Sequence, residues 1–162
     1  MGKRSVGMNT CFFIGHRDTG SEVHTALADE VEHHITSYNV TSFFVGHYGN
    51  FDRMAAAAVI EAKKHHPEVT LTLLLPYHPF DRPIPQPEGF DGTFYPPGME
   101  RVPKRFAIVR ANRYMLEHST HLIAHVWHIS NGSREIWEAA QKRKALGLIC
   151  VTNLADTTQR MI

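Results

Sequence analysis

Short, mostly apolar runs alternate with longer segments of helical period along this chain, and that alternation limits the fold more than any other feature. The first three runs are closed by Gly15, Gly46 and Pro76. Runs of this kind are typical of strands buried on both faces of a sheet. The sequence therefore predicts five strands, at 10–14, 40–45, 69–75, 122–127 and 148–151.

Four segments between or after these runs have apolar residues at helical spacing: 21–38, 51–66, 104–118 and 133–146. Strands that alternate with helices imply right-handed crossovers and a mostly parallel sheet covered on both faces. We therefore predict an α/β fold, a three-layer Rossmann-like sandwich with about five strands. A chain of 162 residues fits one domain, 1–162.

One irregular segment, 76–103, interrupts the alternation. It holds eight of the nine prolines and is rich in aromatic residues, which is unusual for a flexible linker. A long loop with apolar side chains is often functional. We expect this segment to form a packed lid over a binding site, with Tyr77 or Phe80 stacking on a ligand.

The charge balance excludes several classes of function. With 17 Lys+Arg against 16 Asp+Glu, the net charge is +1, which is too low for a dedicated DNA binder or a polybasic membrane anchor. No apolar run approaches the 18 or so residues of a membrane span, and the N-terminus is too polar and short for a signal-peptide core. Cys11 and Cys150 lie within apolar runs and are predicted to be buried thiols of a reducing compartment. We expect a cytoplasmic protein.

Loops that follow strands of a parallel sheet form ligand sites where the strand order reverses. The first such loop begins Gly15-His16-Arg17. The glycine lets backbone N–H groups approach a phosphate, and Arg17 is suited to a bidentate clamp. The loop is neither a Walker loop nor Gly-x-Gly-x-x-Gly. The alternative is a tight turn with a surface arginine.

The second and third loops, 46–52 and 128–134, have similar features. Gly46 and Gly49 permit close backbone approach, and Asp52 either caps helix amides or binds a ribose hydroxyl. The third loop precedes another helix and offers a further anion site. His16 and His47 each follow a strand-ending glycine and are candidate functional residues.

Histidine spacing suggests a metal site only if one segment is helical. His118, His121, His125 and His128 are spaced by 3, 4 and 3 residues, but this segment is predicted to be a strand, with His121 and His125 on one face and His128 on the other. No cysteine or acidic residue accompanies them at zinc-like spacing, so we predict no metal. The other histidine pairs are placed at helix ends and expected at the surface: His33–His34 and His65–His66.

Arg110 and Arg113 are three residues apart and share a helical face, either as phosphate ligands or as a solvated pair. Together, segments 11–17, 46–52, 110–115 and 121–146 resemble the YpsA-type branch of the SLOG superfamily, over about residues 8–151. That superfamily groups DprA/Smf proteins with LOG phosphoribohydrolases on a Rossmann-like fold. Two positions depart from it: Ala111, where relatives often have arginine, and Asn131, which replaces a glycine.

The resemblance implies a nucleotide or nucleotide-derived ligand at the strand ends and a homodimer as in many relatives. We expect no cofactor. The nucleotide-binding residues that the resemblance implies are Gly15, His16, Arg17, Gly46, Gly49, Asp52, Arg110, Asn112, Arg113, Gly132 and Ser133.

An enzyme is the main alternative. LOG enzymes cleave the N-glycosidic bond of nucleoside monophosphates with a Pro-Gly-Gly-x-Gly-Thr-x-x-Glu loop. This chain has no Pro-Gly-Gly, and Ile136 occupies the position of the glutamate. The flanking Glu135 and Glu138 are then the catalytic candidates for a phosphoribohydrolase or related N-glycosidase. A third hypothesis, DprA-like binding of single-stranded DNA, is disfavoured by the charge of +1.

Overall fold

The computed structural model describes residues 9–128 and 131–156. Its strands are β1 (Asn9–Gly15), β2 (Val40–Val45), β3 (Thr70–Leu74), β4 (Gly92–Phe94), β5 (His121–His125) and β6 (Cys150–Asn153). Its helices are α1 (His24–Tyr38), α2 (Asn50–Lys63), α3 (Ala107–Glu117) and α4 (Asn131–Ala145). Short 3₁₀ turns lie at Ser21–Val23, Met99–Arg101 and Lys104–Phe106.

The strands form one sheet in the order β4-β3-β2-β1-β5-β6, and every neighbouring pair is parallel. The predicted α/β fold with a mostly parallel sheet is therefore confirmed. The structure adds a sixth strand, Gly92–Phe94, inside the segment that was expected to be irregular. Three residues are too few to produce a recognisable period, and this strand forms because Leu74 and its neighbours offer a free edge.

Two apolar cores cover the two faces of the sheet. Successive side chains of a strand point to opposite faces, so Phe13 packs in the core beneath α1 and α2 while Phe12 packs in the core beneath α3. These are the three layers that the alternation of strands and helices predicts. Within the described residues, no helix is long and apolar enough to span a membrane.

Two expectations about burial were wrong. His34 is fully buried rather than at the surface, because it continues the inward-facing stripe of α1 that includes Leu27 and Val31. Cys11 is buried as expected, but Cys150 is exposed. Its strand, β6, is the edge of the sheet and has a strand neighbour on one side only.

Candidate functional site

A cavity of about 530 Å³ opens at the carboxyl edge of the sheet, on the side covered by α3. The strand order reverses at β1, whose neighbours are β2 and β5. Crevices at such reversals are the usual ligand sites of open parallel sheets. The cavity is bounded by the ends of β1 and β3, the loops after β1 and β2, and helix α3.

Two glycines hold the loops after β1 and β2 against each other. Gly49 has φ +111°, and a Cβ there would lie 2.6 Å from the Cα of Arg17. The N–H of Asn50 donates a hydrogen bond of 2.9 Å to the carbonyl of Arg17. A Cβ on Gly15 would overlap the ring of Phe51, at the start of α2. The backbone of Arg17 is therefore fixed at the cavity by the neighbouring loop.

Asp52, in the first turn of α2, points back at the loop that precedes its helix. Its Oδ2 accepts a hydrogen bond of 3.1 Å from the N–H of Tyr48, and a Cβ on Gly46 would lie 2.8 Å from the same oxygen. The carboxyl therefore binds an amide of the loop, that of Tyr48, rather than an amide of helix α2. Burial raises the pKa of the Asp52 carboxyl to about 6, against the opposing effects of the Tyr48 N–H and the charge of Arg17. Asp52 lines the cavity as a carboxyl that titrates near neutral pH.

The cavity wall is cationic at two exposed positions. Arg17 and Arg105 both line it, and Asp18 lies beside them. Tyr48 also lines the cavity, and burial raises the pKa of its hydroxyl while Arg82 and Arg17 oppose that shift. Arginines grouped around a concave site attract phosphates and carboxylates.

Aromatic rings form another part of the wall. His16, 9% exposed, stacks on His128 with ring centroids 4.2 Å apart and planes 6° apart, and both line the cavity. Trp127, 56% exposed, meets the His16 ring edge-on at 5.6 Å. Burial, and then the neighbouring His128, lowers the pKa of His16. The His16 ring is therefore neutral at physiological pH. His47 is exposed and does not line the cavity.

Helix α3 divides the predicted Arg-x-Asn-Arg residues between two sites. Asn112 lines the cavity together with Ile108. Arg110 and Arg113 line a separate depression of about 430 Å³, next to Tyr114. The structure therefore does not bring the two arginines to Arg17.

The two glutamates on α4 also lie away from the cavity. Glu135 is exposed and its Oε2 is 3.7 Å from Nη1 of Arg113. Glu138 pairs with Arg134 at 3.9 Å. Among the described side chains of this helix, Ile136 lines the cavity. The carboxyls at the cavity are instead those of Asp18 and Asp52.

The third predicted loop is described in part. Residues 129–130 and the Ser133 side chain lie outside the described residues, while the backbone of Gly132 and Ser133 belongs to the first turn of α4. Among the described residues, no three His, Cys, Asp or Glu side chains are grouped to hold a metal.

The proline-rich segment borders the cavity through Pro76 alone among its residues. Phe80 is 91% exposed, whereas Phe94 packs against Phe44 and Tyr114. Tyr77 lies under the guanidinium of Arg82, 4.0 Å from the ring centroid.

Sequence reasoning missed several residues at or beside the cavity, among them Tyr48, Arg105 and Trp127. Tyr48 belongs to a loop already singled out, so its position was a usable signal. Arg105 lies just before a helix in a basic stretch, where nothing in the local sequence separates it from Lys104.

Comparison with known proteins finds solved structures of similar fold. No protein-family model matches this chain, and no curated protein matches it. Two solved structures of the Moco carrier protein of Chlamydomonas reinhardtii are similar. One superposes with a TM-score of 0.56 at 18% identity, covering 95% of each chain. The other gives a TM-score of 0.50 at 15% identity, covering 94% of this chain and 97% of that one. These likenesses support the Rossmann-like fold.

Proposed function

We propose that this chain is a YpsA-like member of the SLOG superfamily that binds a phosphate-bearing, nucleotide-derived small molecule in the carboxyl-edge cavity. The observation that supports this most is the docking of the first two loops, which fixes Arg17 beside a cavity of about 530 Å³ where the strand order reverses. That volume is within the range of sites for drug-sized ligands.

The phosphate of the ligand is proposed to lie between Arg17 and Arg105. Both side chains are exposed at the cavity, so each can turn towards an anion. Asp52, ionised above pH 6, repels a phosphate from the inner part of the same wall. The anion is therefore directed to the arginine side, and Asp52 accepts hydrogen bonds from hydroxyl or N–H groups of the ligand.

The similarity to the Moco carrier protein widens the class of ligands that we propose for the cavity. The molybdenum cofactor is a phosphorylated pterin, so it shares a phosphate and a planar ring with a nucleotide. We therefore include pterin phosphates among the ligands to be tested. We also propose that the chain is one domain over 1–162, in which residues 76–103 close over the bound ligand.

The first experiment is binding of nucleoside monophosphates and neopterin monophosphate, measured by isothermal titration calorimetry and by native mass spectrometry. Arg17→Ala is expected to weaken binding at least tenfold, because it removes a charge-assisted hydrogen bond to the phosphate. Arg101→Ala removes the same charge from an exposed position outside the cavity and serves as the control. Equal affinity of Arg17→Ala and the wild type would refute the phosphate assignment.

A second function, hydrolysis of an N-glycosidic bond, is favoured by one observation. Asp52 lines the cavity with a pKa raised to about 6, which suits a general acid or base near neutral pH. In such a reaction water adds to C1′ of the sugar and the base leaves with a proton. Release of free base from a nucleoside monophosphate, abolished in Asp52→Asn, would support it. Binding of the nucleotide without release of free base would refute hydrolysis and leave binding as the proposed function.

A further inference from the structure

Helix α3 presents different residues to two concave surfaces, and only one of these surfaces is the proposed binding cavity. Ile108 and Asn112 are four residues apart, so they share a helical face, and both line the cavity. Arg110 and Arg113 line the second depression. Of the three polar residues in the Arg-x-Asn-Arg sequence, Asn112 alone borders the cavity.

Asn112 lines the cavity together with aliphatic residues of both the sheet and the helix. Ile14 and Leu74 line it from the strands, and Ile108 and Val109 line it from α3. Ligand cavities combine apolar walls with a few placed polar groups that fix orientation. Aliphatic side chains on both the sheet side and the helix side favour a flat ring between them, which a sugar phosphate does not have.

The carboxamide of Asn112 is free to bind a ligand. It is half-buried, and it makes no hydrogen bond within the described part of the chain. A ligand binds more tightly when it forms hydrogen bonds with both the N–H donor and the carbonyl acceptor of a half-buried amide. Because a carboxamide offers a donor and an acceptor side by side, it matches a ring edge that offers an acceptor next to a donor.

We propose that Asn112 recognises the hydrogen-bonding edge of a planar nitrogen heterocycle, so that the ligand is a phosphorylated purine or pterin rather than a sugar phosphate. The phosphate lies towards Arg17 and Arg105, and the ring lies between the sheet and α3. This inference rests on the proposed function, because it concerns the same cavity.

The test compares ring-bearing probes with ribose 5-phosphate. AMP, GMP and neopterin monophosphate are titrated into the wild type, Asn112→Leu and Asn112→Asp. The wild type is expected to bind at least one ring-bearing probe about tenfold more tightly than ribose 5-phosphate. Asn112→Leu loses about tenfold for that probe, with ribose 5-phosphate unchanged. Circular dichroism and the Tm establish that each variant is folded.

Asn112→Asp gives a change of specificity that a merely structural role would not produce. An ionised carboxylate only accepts hydrogen bonds, and guanine presents two adjacent N–H donors while adenine does not. The preference for GMP over AMP is expected to rise about tenfold relative to the wild type. Glu117→Gln, on the same helix but outside this cavity, makes the reverse exchange of carboxylate and amide as a control.

The outcomes separate the two proposals. If ribose 5-phosphate binds as tightly as the ring-bearing probes, or if all affinities are the same in Asn112→Leu, the assignment of Asn112 is wrong while the phosphate site stands. If neither ribose 5-phosphate nor any ring-bearing probe binds the wild type, the proposed function and this inference are both overturned.

Discussion

The two edges of the sheet both bury histidines, but they enclose them differently. At the amino edge, His34 and His121 meet at 5.4 Å, and Tyr38 stacks on His121 at 5.2 Å. At the carboxyl edge, His16 stacks on His128 at 4.2 Å beside an open cavity. Burial keeps rings neutral at both edges. Neutral rings covered by a tyrosine stabilise the fold, whereas the neutral ring of His16, beside a cavity, is available to a ligand.

The largest expected effect is a loss of stability in acid, caused by the histidines at the amino edge. Burial lowers the pKa of His34 and of His121 to about 4, from an ordinary value of about 6.5. Between pH 6.5 and 4 the unfolded chain binds more protons than the folded chain, so the free energy of unfolding falls as the pH falls. At pH 5 the loss is about 2 kcal/mol for each histidine. Urea unfolding between pH 7.5 and 5 measures it.

The contribution of His34 to that loss can be tested by mutation, and the neighbouring Glu30 opposes the loss. Burial raises the pKa of the Glu30 carboxyl, which lies 3.0 Å from Nδ1 of His34, and this acts in the opposite sense and reduces the net loss. His34→Gln should flatten the dependence on pH, whereas His65→Gln, at an exposed position, should not. An unchanged slope in His34→Gln would contradict the assignment.

The next largest effect is expected at the carboxyl edge, from Gly49→Ala. The new Cβ would meet the Cα of Arg17 at 2.6 Å, and the φ of +111° is strained for alanine, so we expect a loss of about 3 kcal/mol. Gly147→Ala, at φ +73° with open space around it, should cost about 1 kcal/mol. Chemical unfolding gives the loss for each variant. The difference between the two losses is the cost of the atomic overlap at Gly49, because both variants carry the backbone strain. Equal losses would show that the loops do not constrain each other.

A pair of variants tests whether the two edges have separate roles. Tyr38→Ala should lower the free energy of unfolding by about 2 kcal/mol, because it uncovers His34 and His121, and leave affinity for GMP unchanged. His128→Ala, at an exposed position, should lower stability by less than about 1 kcal/mol and weaken GMP binding about fivefold. Calorimetric titration and thermal unfolding of the two variants measure this. The comparison fails if both variants change the same quantity.

The smallest expected effect is a gain in stability. The pKa of Asp52 is raised to about 6, so the folded chain binds more protons than the unfolded chain between pH 4 and 6, and the free energy of unfolding decreases as the pH rises through that range. Asp52→Asn should therefore be more stable by about 1 kcal/mol at pH 7.5 and not at pH 4. Thermal unfolding at the two pH values is the measurement. A loss of stability at pH 7.5 would mean that the hydrogen bond from the Tyr48 N–H outweighs the cost of burying the charge.

Much of the fold follows from the sequence because hydrophobic period is a local property. The runs ended by Gly15, Gly46 and Pro76 are strands β1 to β3 in the structure, with every strand end within one residue of its predicted position. The burial of helical residues can be predicted in the same way, provided that a polar residue is judged by its position on the helix face and not by its residue type. His34 was misplaced because its residue type outweighed its spacing from Leu27.

The candidate site was less predictable, because it depends on which face of a helix meets the sheet. The spacing of Arg110 and Arg113 correctly puts them together, but the buried Ala111 and Met115 decide how α3 is rotated. That rotation turns Asn112 to the cavity and both arginines away from it. Small apolar residues among arginines give too weak a local signal to fix the rotation in advance.

The central place of β1 has a consequence for synthesis on the ribosome. Its one neighbour, β2, follows soon after it, but its other neighbour pairs Cys11 with His121, far along the chain. Until β5 emerges, β1 is the open edge of a partial sheet, a surface to which other chains add strands. The residues that line the cavity extend along the chain to Ile136, so no nascent chain shorter than this has the complete set of walls. Ligand added during synthesis would therefore stabilise only chains that already extend past Ile136.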